Sequence, residues 1–189
     1  PTTWPYTRSG GEEFERIAHE EEGLPGWDAV QFEIDLMVER PLEVIPQWIE
    51  AGAGRIVVYS ESVEDFSQAV ALFTDRFAAT DTFRVELGIA IEAKTSAKTI
   101  FPYLESVDFV QVMGIARQGY SHEPLDERVF EHIRAILEQK ADAIVSIDGG
   151  VSEETAPRLI AAGARRLVAQ SAIFGALDPR AAIKALRNT

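Results

Sequence analysis

Six short runs of apolar, largely β-branched residues recur along the chain, at Val30–Val38, Arg55–Ser60, Arg84–Ile91, Asp108–Ile115, Ala143–Asp148 and Arg165–Ala169. Most of the segments between them carry helical spacing: Val63, Phe66, Ala69, Val70, Phe73 and Phe77 form one series, and Leu125, Val129, Ile133 and Ile136 another. Parallel neighbours cannot be joined by a tight turn, so strand and helix in alternation predict a parallel sheet with right-handed crossovers. The helix ends are marked as well. Ser152 before Glu153 and Glu154, and Asp178 before Pro179, are N-cap signals, while Gly52 and Gly163 in Ala-Gly-Ala stops end helices shortly before the next strand.

An open doubly wound sheet and a closed eight-stranded barrel both satisfy this alternation. Side-chain parity separates them. The first run places Phe32, Ile34 and Leu36 on one face and Glu33, Asp35 and Met37 on the other; the third places Val85, Leu87, Ile89 and Ile91 opposite Glu86, Gly88, Ala90 and Glu92. Gln111 shares a face with Met113, and Ser146 with Asp148. Strands covered by helices on both sides are apolar on both faces, so a polar inner face favours a barrel with its site at the strand C-terminal mouth. A structural alternative is that Glu33 and Glu86 pair with Arg55, Lys94 or Arg84.

A chain of 189 residues with 46% hydrophobic and 26% charged content has enough apolar surface for one folded domain with a sizeable core. Its formal charge of −13 opposes attraction to nucleic acid or an anionic membrane. No apolar stretch reaches the roughly 18–20 residues that span a bilayer, and no signal-peptide pattern opens the chain, so a cytoplasmic location is expected. With no cysteine in the sequence, any bound metal sits on oxygen or imidazole. His19 and His132 fall on predicted helices as surface residues, and His122 falls in the polar stretch 116–127, read as a loop able to act as a lid.

The segments "FEIDLMVERP" (32–41), "LGIAIEAKT" (87–95), "VDFVQVMGI" (107–115), "VSIDGGVSEET" (145–155) and "SAIFGALDPRAAIKALRN" (171–188) resemble, in order and spacing, the ribulose-phosphate 3-epimerase family. Its most specific pieces are Asp-Gly-Gly-Val and Ser-Ala-Ile-Phe at neighbouring strand ends. The resemblance implies a TIM-type (β/α)8 barrel, with 1–189 as one barrel domain holding strands three to eight and strands one and two missing on its N-terminal side. Unpaired strand edges near 32–38 and 165–170 then predict a homo-oligomer.

The same resemblance implies an epimerase, an isomerase acting on a ribulose 5-phosphate-like sugar phosphate. One carboxylate takes a proton from the carbon beside the ketose carbonyl, and a second returns it on the other face of an enediolate stabilised by a divalent metal. The family acid of the Asp-Gly-Gly turn maps onto Asp148; the other, in a His-x-Asp motif, has no counterpart here. A family metal-binding histidine maps onto Asp35 and another histidine onto Tyr59. Asp35 and Asp148 are therefore the metal candidates, for Mg2+ or Mn2+ ahead of Zn2+ because carboxylates are hard ligands. Met37 and Met113 match methionines of the pocket, and Gly119 and Tyr120 resemble part of a glycine-rich lid. Gly149, Gly150 and Ser171 are the phosphate candidates, since backbone N–H groups of a glycine turn need no lysine to hold an anion. Gln170 stands where the family has glycine and either crowds the phosphate or donates an amide to it. Two alternatives stay open: a related sugar-phosphate lyase or decarboxylase, whose Asp-x-Lys-x-x-Asp pattern reads Glu33, Asp35, Val38 here, and a non-catalytic barrel that binds sugar phosphate.

Overall fold

The computed structural model describes Leu24, Gly26 and residues 29–77, 84–117 and 123–189. By its internal contacts the chain divides into two compact units, Pro1–Gly88 and Ile89–Thr189, with the boundary inside a strand. Each expected strand is present: β1 (Phe32–Leu36), β2 (Ala53–Tyr59), β3 (Glu86–Ile91), β4 (Phe109–Met113), β5 (Val145–Asp148) and β6 (Arg166–Val168), in the order β1-β2-β3-β4-β5-β6. Most are shorter than the apolar runs suggest. At the end of β1, for example, the Met37 N–H turns back to the Asp35 carbonyl at 3.2 Å and leaves the ladder.

In the first unit β1 and β2 pair in parallel, with Asp35 opposite Val57 and Leu36 opposite Val58. Between them α1 (Pro41–Glu50) starts on a proline, where an N–H would have no helical partner, and buries Ile45 and Trp48. It stops at Ala51, followed by Gly52 at φ 104°, a left-handed turn that only glycine adopts without strain. Next, α2 (Ser67–Arg76) buries Ala69 and Phe73, two members of the predicted series.

In the second unit β4, β5 and β6 pair in parallel, with Gln111, Ser146 and Arg166 in one register row and Met113, Asp148 and Val168 in the next. A 3-10 segment (Ala97–Tyr103), which contains Pro102, occupies the connection between β3 and β4. Then α3 (Arg128–Gln139) buries Val129, Ile133 and Ile136, as the spacing predicts. Gly163 at φ 112° closes α4 (Ala156–Ala162). After the short helix α5 (Ser171–Phe174) comes α6 (Pro179–Arg187), capped by Asp178 Oδ1, which accepts the N–H groups of Arg180 and Ala181 at 2.9 and 3.1 Å.

Two sequence expectations change. His132 is a half-buried tie rather than a surface residue, with Nε2 2.9 Å from the Ala93 carbonyl oxygen. Glu33 and Glu86 follow the structural alternative: the Arg55 guanidinium lies 2.8 Å from Glu86 and 3.9 Å from Glu33. Lys94 instead pairs with Glu92 at 2.8 Å.

Candidate active site

The Asp-Gly-Gly turn is built by the two strands beside it. Asp148 is the last residue of β5, opposite Met113 on one side and Val168 on the other, and residues in one row of a parallel sheet project to the same face. Below it, Gln111 and Ser146 are almost wholly buried, so the inner face is polar and closed from water one row down. The Asp148 carbonyl accepts the Gly114 N–H at 2.7 Å, which extends the β4–β5 ladder past the end of both strands.

Both turn glycines are required by shape. Gly149 and Gly150 hold φ of 94° and 69°. A Cβ on Gly149 would lie 2.8 Å from Ile115 Cγ1, and one on Gly150 would lie 2.8 Å from Leu125 Cα. The turn is also held from its far side. Thr155 donates its hydroxyl to the Gly150 carbonyl at 2.7 Å and accepts the Ser152 N–H at 2.9 Å, while Ser152 Oγ accepts the Thr155 N–H at 3.2 Å. The cap bond expected of Ser152 is thus made, one turn ahead of the regular helix.

Ser171 opens α5, three residues beyond Val168. Because Val168 is the register partner of Asp148, Gly149-Gly150 and Gln170-Ser171 leave the same edge of two adjacent strands. Gln170 is exposed and Ser171 half-buried. On the other flank, Arg117 and Glu123 are ion-paired. Gly119, Tyr120 and His122 lie outside the described residues.

Asp126 stands at the start of α3, and its carboxylate receives Arg128 Nη2 at 2.6 Å. That side-chain hydrogen bond, chiefly, holds its carboxyl below the ordinary range; burial acts the other way, and the Arg128 backbone N–H adds to the lowering. A depressed carboxyl stabilises the fold above the ordinary value of about 3.9, and the contribution is lost as pH falls through the lowered folded value. Denaturation midpoints of wild type and Asp126→Asn should therefore differ at pH 7 and converge as pH falls through the lowered folded value.

In the first unit, Asp35 Oδ2 accepts the Tyr59 hydroxyl at 3.3 Å, and Met37, just past the strand end, is 45% exposed. Among the described residues no three His, Asp or Glu side chains come together as a metal-holding group.

The family model for the ribulose-phosphate 3 epimerase family matches residues 21–174, most of the chain. The chain belongs to that family. Ribulose-phosphate 3-epimerase of Bacillus subtilis (strain 168) is 29% identical over 163 residues, which cover 83% of this chain and 71% of that protein. Its counterpart in Aquifex aeolicus (strain VF5) is 30% identical over 157 residues, 81% of this chain and 67% of the relative. Among solved structures, 3-hexulose-6-phosphate synthase from Salmonella typhimurium aligns with a TM-score of 0.65 at 17% identity, covering 93% of this chain and 78% of its own. At that identity the likeness is one of fold, and it places the six-stranded α/β chain beside barrel proteins.

Membership in an epimerase family bears out the enzyme class expected from the motifs. Within this member, the structure brings Met113 at the end of β4 beside Asp148, Gly149 and Gly150 at the end of β5, with Gln170 and Ser171 after β6. Asp35 and Met37 belong to the first unit. Two residues next to these candidates had no role in the sequence reading. Tyr59 was noted only as a replaced histidine, although parity along β2 puts it on the face of Arg55. Gly114 drew no reading of its own, because the atom nearest its missing Cβ, the Gly149 carbonyl oxygen, comes from the turn after β5.

Proposed function

We propose that this chain epimerises a ribulose 5-phosphate-type ketose at the carbon next to its carbonyl, giving the xylulose 5-phosphate-type product, with Asp148 as one of the two proton-transfer groups. The observation that carries the proposal is Asp148 at the end of β5, facing inward beside Met113, with its carbonyl fixed by Gly114. In this mechanism a carboxylate oxygen takes the carbon-bound proton, and the C–H electron pair moves into the adjacent carbonyl to give an enediolate. The second proton-transfer group gives its own proton to the opposite face and restores the ketone with inverted configuration, leaving Asp148 protonated and that group deprotonated. The buried row beneath Asp148 keeps bulk water from that side. Gly149, Gly150 and Ser171 are assigned to the phosphate, with Gln170 beside them; Gly119 and Tyr120 remain proposed pocket residues on the basis of family resemblance.

The complete eight-stranded barrel belongs to this proposal, as do the cytoplasmic location and a homo-oligomer. Exposed Phe174 and Leu177 after β6 support self-association. No helix among the described residues is long and apolar enough to cross a membrane.

The test is deuterium incorporation from D2O into ribulose 5-phosphate by the full-length protein, alongside calorimetric titration of the same ligand. Exchange with binding is expected. Binding without exchange would make the chain a binding barrel, and neither would remove the sugar-phosphate assignment. In the same assay Ser171→Asp sets a carboxylate against the phosphate, and affinity should fall about tenfold or more.

A further inference from the structure

We infer that Gly114 is a positioning residue for Asp148, acting through the peptide that follows it; the inference rests on the catalytic role proposed for Asp148. Three observations converge on this glycine, which lies one residue beyond β4 and outside the Asp-Gly-Gly motif. Its N–H donates to the Asp148 carbonyl at 2.7 Å. Its own carbonyl accepts the Asp126 N–H at 2.8 Å. The space where a Cβ would stand is filled by the Gly149 carbonyl oxygen, with the Gly149 carbonyl carbon and Ile147 Cγ2 each at 3.2 Å.

The contact is with backbone, so it cannot be relieved by a side-chain rotation. Any residue larger than glycine at 114 must push the Gly149–Gly150 peptide away, and Gly149 has little room to move because Ile115, the residue after Gly114, packs against it. Gly149 moves with it, and so does the preceding Asp148–Gly149 peptide, whose carbonyl the Gly114 N–H holds; that shift turns the Asp148 Cα–Cβ vector. Proton transfer is sensitive to errors well under an ångström in the approach of the base to the C–H bond, whereas phosphate affinity is not made at this atom. Gly114 therefore sets the rate of the chemical step and contributes little to ligand binding. Its sequence signal is weak because nothing about an isolated Met-Gly-Ile predicts which backbone will lie against it.

The test uses the full-length protein and compares Gly114→Ala, Asp148→Asn and the double variant for epimerisation kinetics, deuterium exchange and thermal midpoint. Gly114→Ala should lower kcat by roughly tenfold or more, with KM changed less than about threefold, under conditions where near-UV circular dichroism shows it folded. In the Asp148→Asn background it should cost nothing further, since residues that act as a unit are not additive. A purely structural role would lower the thermal midpoint and leave kcat of the folded enzyme unchanged, and that result overturns the inference. It is also overturned if the two substitutions multiply. If Asp148→Asn alone retains exchange, the catalytic reading itself has failed, which is a distinguishable outcome. Should Gly114→Ala not fold, Asp126→Pro deletes the N–H that holds the Gly114 carbonyl without filling the space at 114. The same loss confined to kcat is then expected, and an unchanged kcat rejects the inference.

Discussion

Asp148→Asn is expected to lower solvent exchange of the substrate's carbon-bound proton by at least about 100-fold, the usual scale for removing a general base, while sugar-phosphate affinity stays within a few-fold. The amide is nearly isosteric with the carboxylate and leaves the backbone groups of the turn in place. Gly114 still donates to the carbonyl of residue 148, and Thr155 still holds the Gly150 carbonyl. What is lost is the basic oxygen. A variant that binds ribulose 5-phosphate normally and does not exchange deuterium carries the assignment of Asp148; one that exchanges at the wild-type rate ends it.

The largest loss of stability is expected on β4. Phe109 is 1% exposed, and the Arg166 guanidinium carbon stands 4.6 Å from its ring centroid. Phe109→Ala removes a buried ring and should cost about 3–5 kcal/mol, or a fall in Tm of roughly 6–20 °C for a chain of this size. Phe109→Leu keeps much of the volume and none of the π face, so the loss that remains in it reports the cation–π contact, about 0.5–2 kcal/mol. Urea denaturation at constant m-value measures both. A change under about 1 kcal/mol for Phe109→Ala would mean that β4 is not the centre of the second unit's core.

These expectations depend on features of unequal visibility in the sequence. Apolar periodicity located every strand and the helices α2 and α3, because burial acts on each segment separately and leaves a period of 2 or 3.6. Asp178-Pro179 and Gly163 were legible for the same reason: a cap or a left-handed turn is decided within four residues. Partners far apart in the chain left no such trace. His132 meets a carbonyl 39 residues away, and Arg55 meets Glu86 across 31 residues. Strand parity put Glu33 and Glu86 on the polar faces of their strands but could not say whether they face a ligand or a basic partner such as Arg55. Asp148 was legible through the resemblance of its Asp-Gly-Gly-Val turn to that of the family; Gly114 was not, because its contribution is the absence of a methyl group.

The Thr155 hydroxyl ties the first turn of α4 to the glycine turn by a single side chain that both donates and accepts. Fraying at a helix end is ordinarily local and without consequence, since its cost is a few exposed hydrogen bonds. Here the residue that would fray is also the anchor of the Gly150 carbonyl. Opening of the helix start and loosening of the glycine turn are therefore expected to occur together, so that amides of the turn and of the first turn of α4 should exchange at similar rates. A ligand held at the turn, as proposed for the phosphate, would then stabilise a helix it does not touch.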